Sequence, residues 1–149
     1  MTTSETMFGR ALKRREDPRL ITGRGQYVDD VNMPGMQRVM FVRSPHAHAR
    51  IVRIDTTAAA ALPGVIAVFD YRDSPTTLFS TGRHEHRTDD PDDTLVFDQV
   101  LRFRGQRVAA VVAESVAEAE RALDAIVVEY EELPAVFDPL ASREPGAPL

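Results

Sequence analysis

The sequence predicts an α+β fold in which one mixed β-sheet carries two packed helices and is preceded by an extended N-terminal arm. Two helical segments stand against five or more β-rich runs, a ratio that favours this class over a doubly wound fold. The chain has 149 residues, of which 43% are hydrophobic, enough to fill one core but hardly two. We therefore expect one globular domain.

The predicted arm covers residues 1–25. This stretch is polar, charged and interrupted by Pro18 and by glycines, and it has no helical or strand period. A basic cluster at 13–15 suggests contact with phosphates, but acidic residues follow it at once and no aromatic residues accompany it for stacking. We therefore predict no nucleic-acid binding and an arm that lies on an acidic partner surface or in solvent.

The first half of the domain is predicted to be mainly β-structure. Each of its β-rich runs is bounded by turn-forming residues. The predicted strands are 26–31, 37–43, 49–54 and 65–69. A short helix over 58–62 should separate the last two, because an oxygen of Asp55 or Thr56 can accept hydrogen bonds from its first amides. The Pro63-Gly64 pair should end that helix.

The second half begins with a long surface loop over 70–94, which has few apolar residues, and long ordered loops often carry function. Strands at 95–104 and 107–113 are predicted to form a hairpin through a Gly-Gln turn. Ser115 and Glu118 then have the spacing of a capping box, and apolar residues at helical spacing follow them. A strand over 126–130 comes next. The predicted organisation is an arm (1–25), a domain (26–140) and a C-terminal tail (141–149).

The residue inventory gives little support for chemistry by this chain. It contains no cysteine, which excludes disulfides, a thiolate nucleophile and a cysteine-held iron–sulfur cluster. The four histidines form two His-x-His pairs at 46/48 and 84/86, a spacing that can present two metal ligands on one face of a strand. No carboxylate third ligand is identified by spacing. We predict no catalytic residue, no cofactor-binding residue and no metal ligand.

The N-terminal sequence contains no apolar segment typical of a signal peptide, and no run in the chain is long enough to cross a bilayer. We therefore expect no membrane association and a cytoplasmic location. The net charge of −5 is unevenly distributed, since residues 1–53 are net basic and the remainder is strongly acidic. This asymmetry is compatible with contact between the basic part and an acidic partner.

Five segments, in this order, resemble the opening of the large, molybdopterin-binding subunit of the xanthine dehydrogenase, aldehyde oxidase and aerobic carbon monoxide dehydrogenase family. They are 15–30 (REDPRLITGRGQYVDD), 41–51 (FVRSPHAHARI), 62–65 (LPGV), 102–109 (RFRGQRVA) and 128–136 (VEYEELPAV). Each segment is short, but together they extend the resemblance over about residues 10–149. The resemblance implies an N-terminal a/b hammerhead domain, which agrees with the α+β class predicted from the residues.

In that family the hammerhead domain supports the molybdopterin cofactor without holding it. The resemblance therefore implies that this chain is a non-catalytic domain or split subunit of a molybdenum hydroxylase. The molybdopterin cofactor, [2Fe–2S] clusters and FAD would be held by a molybdopterin-binding subunit, an iron–sulfur subunit and an FAD subunit. In relatives, the connection equivalent to the long loop approaches the substrate funnel, which makes Phe79, His84 and His86 candidates for lining the substrate entrance.

Two other hypotheses remain open at this point. The chain could be a free-standing metal-binding protein that uses its two His-x-His pairs, or the folded but idle remnant of a degraded gene. The hydroxylase hypothesis predicts an exposed apolar patch on the isolated chain, because a domain of a larger subunit leaves its docking surface uncovered. The sequence does not identify the substrate, because residues near the metal would select it.

Overall fold

The computed structural model describes residues 9, 11–82 and 92–148, which form two compact units, 1–36 and 37–149. The first unit contains a short helix, α1 (Asp17–Ile21), and a 3-10 turn at Val28–Asp30. The arm was predicted to lack helix, but Pro18 in the first turn preorganises the backbone for α1. The strand predicted at 26–31 is replaced by the 3-10 turn, because the Asp30 carboxylate accepts a hydrogen bond from the Tyr27 amide.

The second unit contains all the strands that the structure describes. In chain order the elements are β1 (Arg38–Arg43), β2 (Ala49–Asp55), α2 (Thr57–Ala60), β3 (Val65–Asp70), β4 (Val100–Leu101), β5 (Arg107–Ala113), α3 (Val116–Asp124) and β6 (Val127–Glu132). A 3-10 turn at Ala141–Arg143 follows. Among these elements no helix is long and apolar enough to span a bilayer. The α+β class predicted from the sequence is confirmed.

The strands form two antiparallel sheets rather than the expected single mixed sheet. Sheet 1 has the order β1-β5-β3, and sheet 2 has the order β4-β2-β6. The predicted hairpin between 95–104 and 107–113 is not formed, because β4 pairs with β2 while β5 pairs with β1 and β3. The short β4 and the turn after it thus carry the chain from sheet 2 to the centre of sheet 1.

Two apolar clusters fill the core. Strand β5 is buried along most of its length, since it lies between two other strands. Val111 and Ala113 pack with alanines of α2 and α3, while Val108 and Ala109 pack with Leu101 and the isoleucines of β2. Sheet 1 is therefore covered by helices at one end of β5 and by sheet 2 at the other.

The two predicted helices, α2 and α3, begin within one residue of their predicted positions. The amide of Glu118 donates to Ser115 Oγ at 3.3 Å, and this hydroxyl donates to the Glu118 carboxylate at 2.8 Å. The amide of Thr57 donates to Asp55 Oδ1 at 3.0 Å, which supports the first turn of α2. Gly64 has a φ of +81°, and a Cβ there would collide with the Glu118 carboxylate. Glycine is favoured in this turn because its φ is positive, a backbone conformation that other residues rarely adopt.

Candidate functional site

The first His-x-His pair lies in the bend between β1 and β2, and its two rings contact different partners. His46 Nδ1 is 3.2 Å from Glu132 Oε1, and its ring meets the edge of Tyr130 at a centroid distance of 5.0 Å. His48 Nδ1 is 2.6 Å from the carbonyl oxygen of Pro134. Both histidines therefore connect this bend to the end of β6 and the segment after it. Burial raises the pKa of Tyr130.

The second His-x-His pair, His84 and His86, lies outside the residues that the structure describes. Within residues 9, 11–82 and 92–148, no cluster of three or more His, Asp or Glu side chains could hold a metal ion. The chain also has no cysteine for an iron–sulfur cluster. The described residues therefore do not fit a metal centre or a cluster.

Phe79, the third residue predicted at a substrate entrance, is half-buried at the base of the long loop. It forms an isolated antiparallel bridge with Thr94, in which each amide donates to the carbonyl of the other residue at 3.0 Å. Nearer the domain, the amide of Phe97 donates to Ser74 Oγ at 3.1 Å. Two contacts thus join the outgoing and returning ends of the loop.

The loop starts at Asp70, the last residue of β3, whose carboxylate is buried with only 2% of the residue exposed. Arg72 donates to it through Nε at 2.9 Å, through NH2, and through its backbone amide at 2.9 Å. Burial acts to raise the pKa of Asp70, but the hydrogen bonds from Arg72 outweigh it, and the pKa lies below its ordinary value. An ion pair between the buried Asp70 carboxylate and the exposed Arg72 guanidinium therefore anchors the start of the loop.

The outer face of sheet 1 is apolar, a feature that the sequence analysis did not locate. We define it as the face opposite α2 and α3. Side chains alternate along strands, and the strand register aligns two cross-strand rows on this face. The rows are Val39–Val112–Ala67 and Phe41–Ala110–Phe69. Val39 is 52% exposed and Phe69 is also exposed, so this face is partly open to solvent.

The outer face of sheet 2, by contrast, carries cross-strand ion pairs. Arg53 Nε is 3.0 Å from Glu129 Oε1, and Arg50 Nε is 3.8 Å from Glu131 Oε2. These residues stand directly opposite one another in the register of β2 and β6, and all four are exposed. These charged side chains keep this part of the face solvated.

A surface groove of about 390 Å³ lies beside the turn between β4 and β5. Its lining is mostly apolar and includes Phe103 and the segment between Pro134 and Phe137, and Arg102 and Arg104 also line it. Phe103 and Phe137 are 59% and 85% exposed. The groove therefore presents two aromatic rings to solvent next to a cation.

Comparison with known proteins places these features in a family. Residues 22–134 match the model of the aldehyde oxidase and xanthine dehydrogenase a/b hammerhead domain. The carbon monoxide dehydrogenase large chain of Afipia carboxidovorans is 44% identical over 98% of this chain and 18% of its own length. The xanthine dehydrogenase molybdenum-binding subunit of Escherichia coli O157:H7 is 40% identical over 87% of this chain and 18% of its own length.

Solved structures give the same result. Quinoline 2-oxidoreductase from Pseudomonas putida 86 has a TM-score of 0.71 and 44% identity, over 89% of this chain and 17% of that chain. Aldehyde oxidoreductase from Desulfovibrio gigas has a TM-score of 0.75 and 27% identity, over 91% of this chain and 16% of that one. The chain thus spans less than a fifth of the length of these relatives.

Proposed function

We propose that this chain, which belongs to the aldehyde oxidase and xanthine dehydrogenase family as an a/b hammerhead domain, supports the molybdopterin-binding portion of a molybdenum hydroxylase. It contributes packing surface and carries out no chemistry alone. The proposal covers both a separate subunit and a domain of a longer chain, because the supporting role is the same in each.

The apolar outer face of sheet 1 is the observation that carries this proposal. A sheet face that leaves Val39 and Phe69 exposed is costly in water, at about 25 cal/mol per Å² of apolar surface. Such faces normally mark a contact with another protein surface. Because the matched relatives are more than five times as long as the segment they share with this chain, most of a family subunit is available to cover the face.

The redox cofactors belong to the partners in this proposal. The molybdopterin cofactor would be held by the molybdopterin-binding subunit, and the [2Fe–2S] clusters and FAD by an iron–sulfur subunit and an FAD subunit. The lack of cysteine in this chain supports that division, since protein-bound [2Fe–2S] clusters require thiolate ligands. The proposal includes a cytoplasmic location, which fractionation of the source cells would test.

We further propose that Phe79, together with His84 and His86, lies at the substrate entrance of the assembled enzyme. The support for this role is the closed base of the loop, where Phe79 pairs with Thr94 and Asp70 is anchored by Arg72. A loop held at its base can keep an aromatic ring in one place at low entropic cost. Phe79→Ala in an active complex should change KM for bulky substrates more than kcat. Equal KM values for wild type and variant would contradict this role.

A chimera tests the docking role directly. The matching segment of the Afipia carboxidovorans large chain is replaced by this chain, and assembly and molybdenum content are measured. Val39→Asp should abolish assembly, because it places a charge in a buried interface. Val52→Asp is the matched control, since Val52 on β2 is 58% exposed, close to Val39 at 52%.

Circular dichroism of the isolated variants establishes that both fold. The docking role is contradicted if Val39→Asp assembles as well as the unmodified chimera, or if Val52→Asp disrupts assembly equally. Failure of the unmodified chimera to bind molybdenum while its other subunits assemble would contradict the supporting role itself.

A further inference from the structure

Four arginines surround the turn that carries the chain from β4 to β5. Arg43 and Arg107 stand opposite each other in the register of β1 and β5, while Arg102 and Arg104 flank Phe103. Arg102 Nη1 is 2.6 Å from Asp98 Oδ2. In the part of the chain that the structure describes, the other three guanidinium groups have no carboxylate within ion-pair distance.

This concentration of positive charge is unusual for this chain, which has a net charge of −5. Like charges directly opposite in an antiparallel pair are unfavourable. Arg43 is held in place, because it donates to the carbonyl of Gly105 at 3.2 Å and lies 5.1 Å from the centre of the Phe41 ring. These two contacts place the Arg43 guanidinium over the turn between β4 and β5, so the turn carries positive charge that an anionic partner group would complement.

The groove beside this turn adds apolar surface to the positive charge of the arginines. Phe103 and Phe137 are both exposed at its surface, and apolar side chains form most of its wall. Within the described residues, the backbone amides at 135–137 donate no hydrogen bond to another backbone group. A peptide in the groove would bury the aromatic rings, pair with these backbone amides and place a carboxylate beside Arg104, which also lines the groove.

We propose that this groove binds an acidic peptide segment, anchored by an apolar side chain, from the molybdopterin-binding portion of the hydroxylase. The identity of that partner rests on the proposed function, whereas the chemistry of the ligand rests on the groove. A free phosphate would satisfy the arginines but would leave both phenylalanines exposed. The combination of cations and aromatic rings therefore favours a peptide, with Arg104 and Phe103 as its principal contacts.

The test measures binding of overlapping synthetic peptides to the intact 149-residue chain by fluorescence anisotropy. The peptides cover the Afipia carboxidovorans large chain outside the segment that matches this protein. Those that bind should combine Asp or Glu with an aromatic or aliphatic residue, and their binding should weaken as salt is raised. Arg104→Glu and Phe103→Ala should each weaken binding about tenfold or more.

Arg121→Glu is the matched control, because Arg121 on α3 is also exposed and also has no carboxylate partner in the described residues. It should leave peptide binding unchanged. The Val39→Asp variant should also bind peptide normally, because Val39 lies on sheet 1 and not in the groove. Peptide binding by this variant therefore tests the groove independently of the docking role of sheet 1. The proposal is overturned if no peptide binds, if Arg104→Glu and Arg121→Glu behave alike, or if inorganic phosphate displaces the peptide at matching concentration.

Discussion

The outer faces of the two sheets differ in the polarity of the side chains that they expose to water. The outer face of sheet 2 pairs Arg53 with Glu129 and Arg50 with Glu131 across neighbouring strands, so these charges have their partners within the sheet. The outer face of sheet 1 presents Val39 and Phe69 with no polar partner. This small domain therefore has one side suited to solvent and another suited to a protein neighbour.

The interior that the sheets share should be the most sensitive region. Leu101 on β4 is fully buried between them, and Leu101→Ala should lower the free energy of unfolding by about 2–5 kcal/mol through lost burial and a cavity. Urea unfolding measures this change. Val52→Ala on the exposed part of β2 should cost less than about 1 kcal/mol. Similar losses for the two variants would mean that the sheets do not depend on a common core.

Removing the charge of an acidic residue should lower the free energy of unfolding more at Asp70 on sheet 1 than at Glu129 on sheet 2. Asp70→Asn should lower the free energy of unfolding near neutral pH by about 1–3 kcal/mol, because it weakens the hydrogen bonds that the buried carboxylate accepts from Arg72. The pKa of Asp70 is lowered on folding, so its contribution is present above the pKa of the unfolded chain, about 3.9. That contribution is lost as the pH falls through the lower pKa of the folded state.

The stability difference between wild type and Asp70→Asn should therefore shrink at strongly acidic pH. Urea unfolding over a pH series measures it, and Glu129→Gln on sheet 2 is the control with an exposed ion pair. A difference that stays constant down to the lowest pH would contradict the role of the Asp70 charge.

The exposed ion pairs of sheet 2 should contribute less. Arg53→Ala should cost about 0.2–1 kcal/mol, since both partners are solvated and the gain is offset by side-chain entropy. The loss should become smaller at high salt, where exposed charges are screened. Chemical unfolding at low and high ionic strength measures both effects. A loss as large as that of Leu101→Ala would show that this face is structurally essential.

The smallest change in the free energy of unfolding is expected for a substitution on the apolar outer face of sheet 1. Val39→Thr keeps the β-branched shape and should change the free energy of unfolding by no more than about 0.5 kcal/mol. It should nevertheless reduce the fluorescence of a bound hydrophobic dye, because it makes the exposed face of sheet 1 more polar. Val52→Thr on sheet 2 is the control, and an equal reduction there would remove the distinction between the two faces.

Local patterns determined most of the secondary structure. The Ser115 and Glu118 spacing predicted the start of α3, and the apolar runs predicted β1, β2, β3 and β5. These elements depend on hydrogen bonds and side-chain alternation within a few residues, which the sequence displays directly. The predicted strand at 26–31 failed for the same local reason, because the side chain of Asp30 stabilises a turn there.

The partners of the strands were decided by tertiary structure. Nothing near Gly105 indicates that the strands on either side belong to different sheets, because pairing with β2 or with β1 depends on burial of distant apolar faces. The outer face of sheet 1 had a usable signal, since apolar residues at consecutive positions in β1 and β3 imply that both faces of those strands are apolar. Phe79, His84 and His86 remain predictions based on the family resemblance.

The sequence by itself determined the α+β class, the absence of cysteine chemistry and, through its five matching segments, membership of a hydroxylase family. Tertiary structure decided that the strands form two sheets and that the apolar and charged outer faces lie on different sheets. The physical reason is that hydrogen-bonding and patterning preferences act over a few residues. The choice of which faces are buried is made by the whole chain as it removes apolar surface from water.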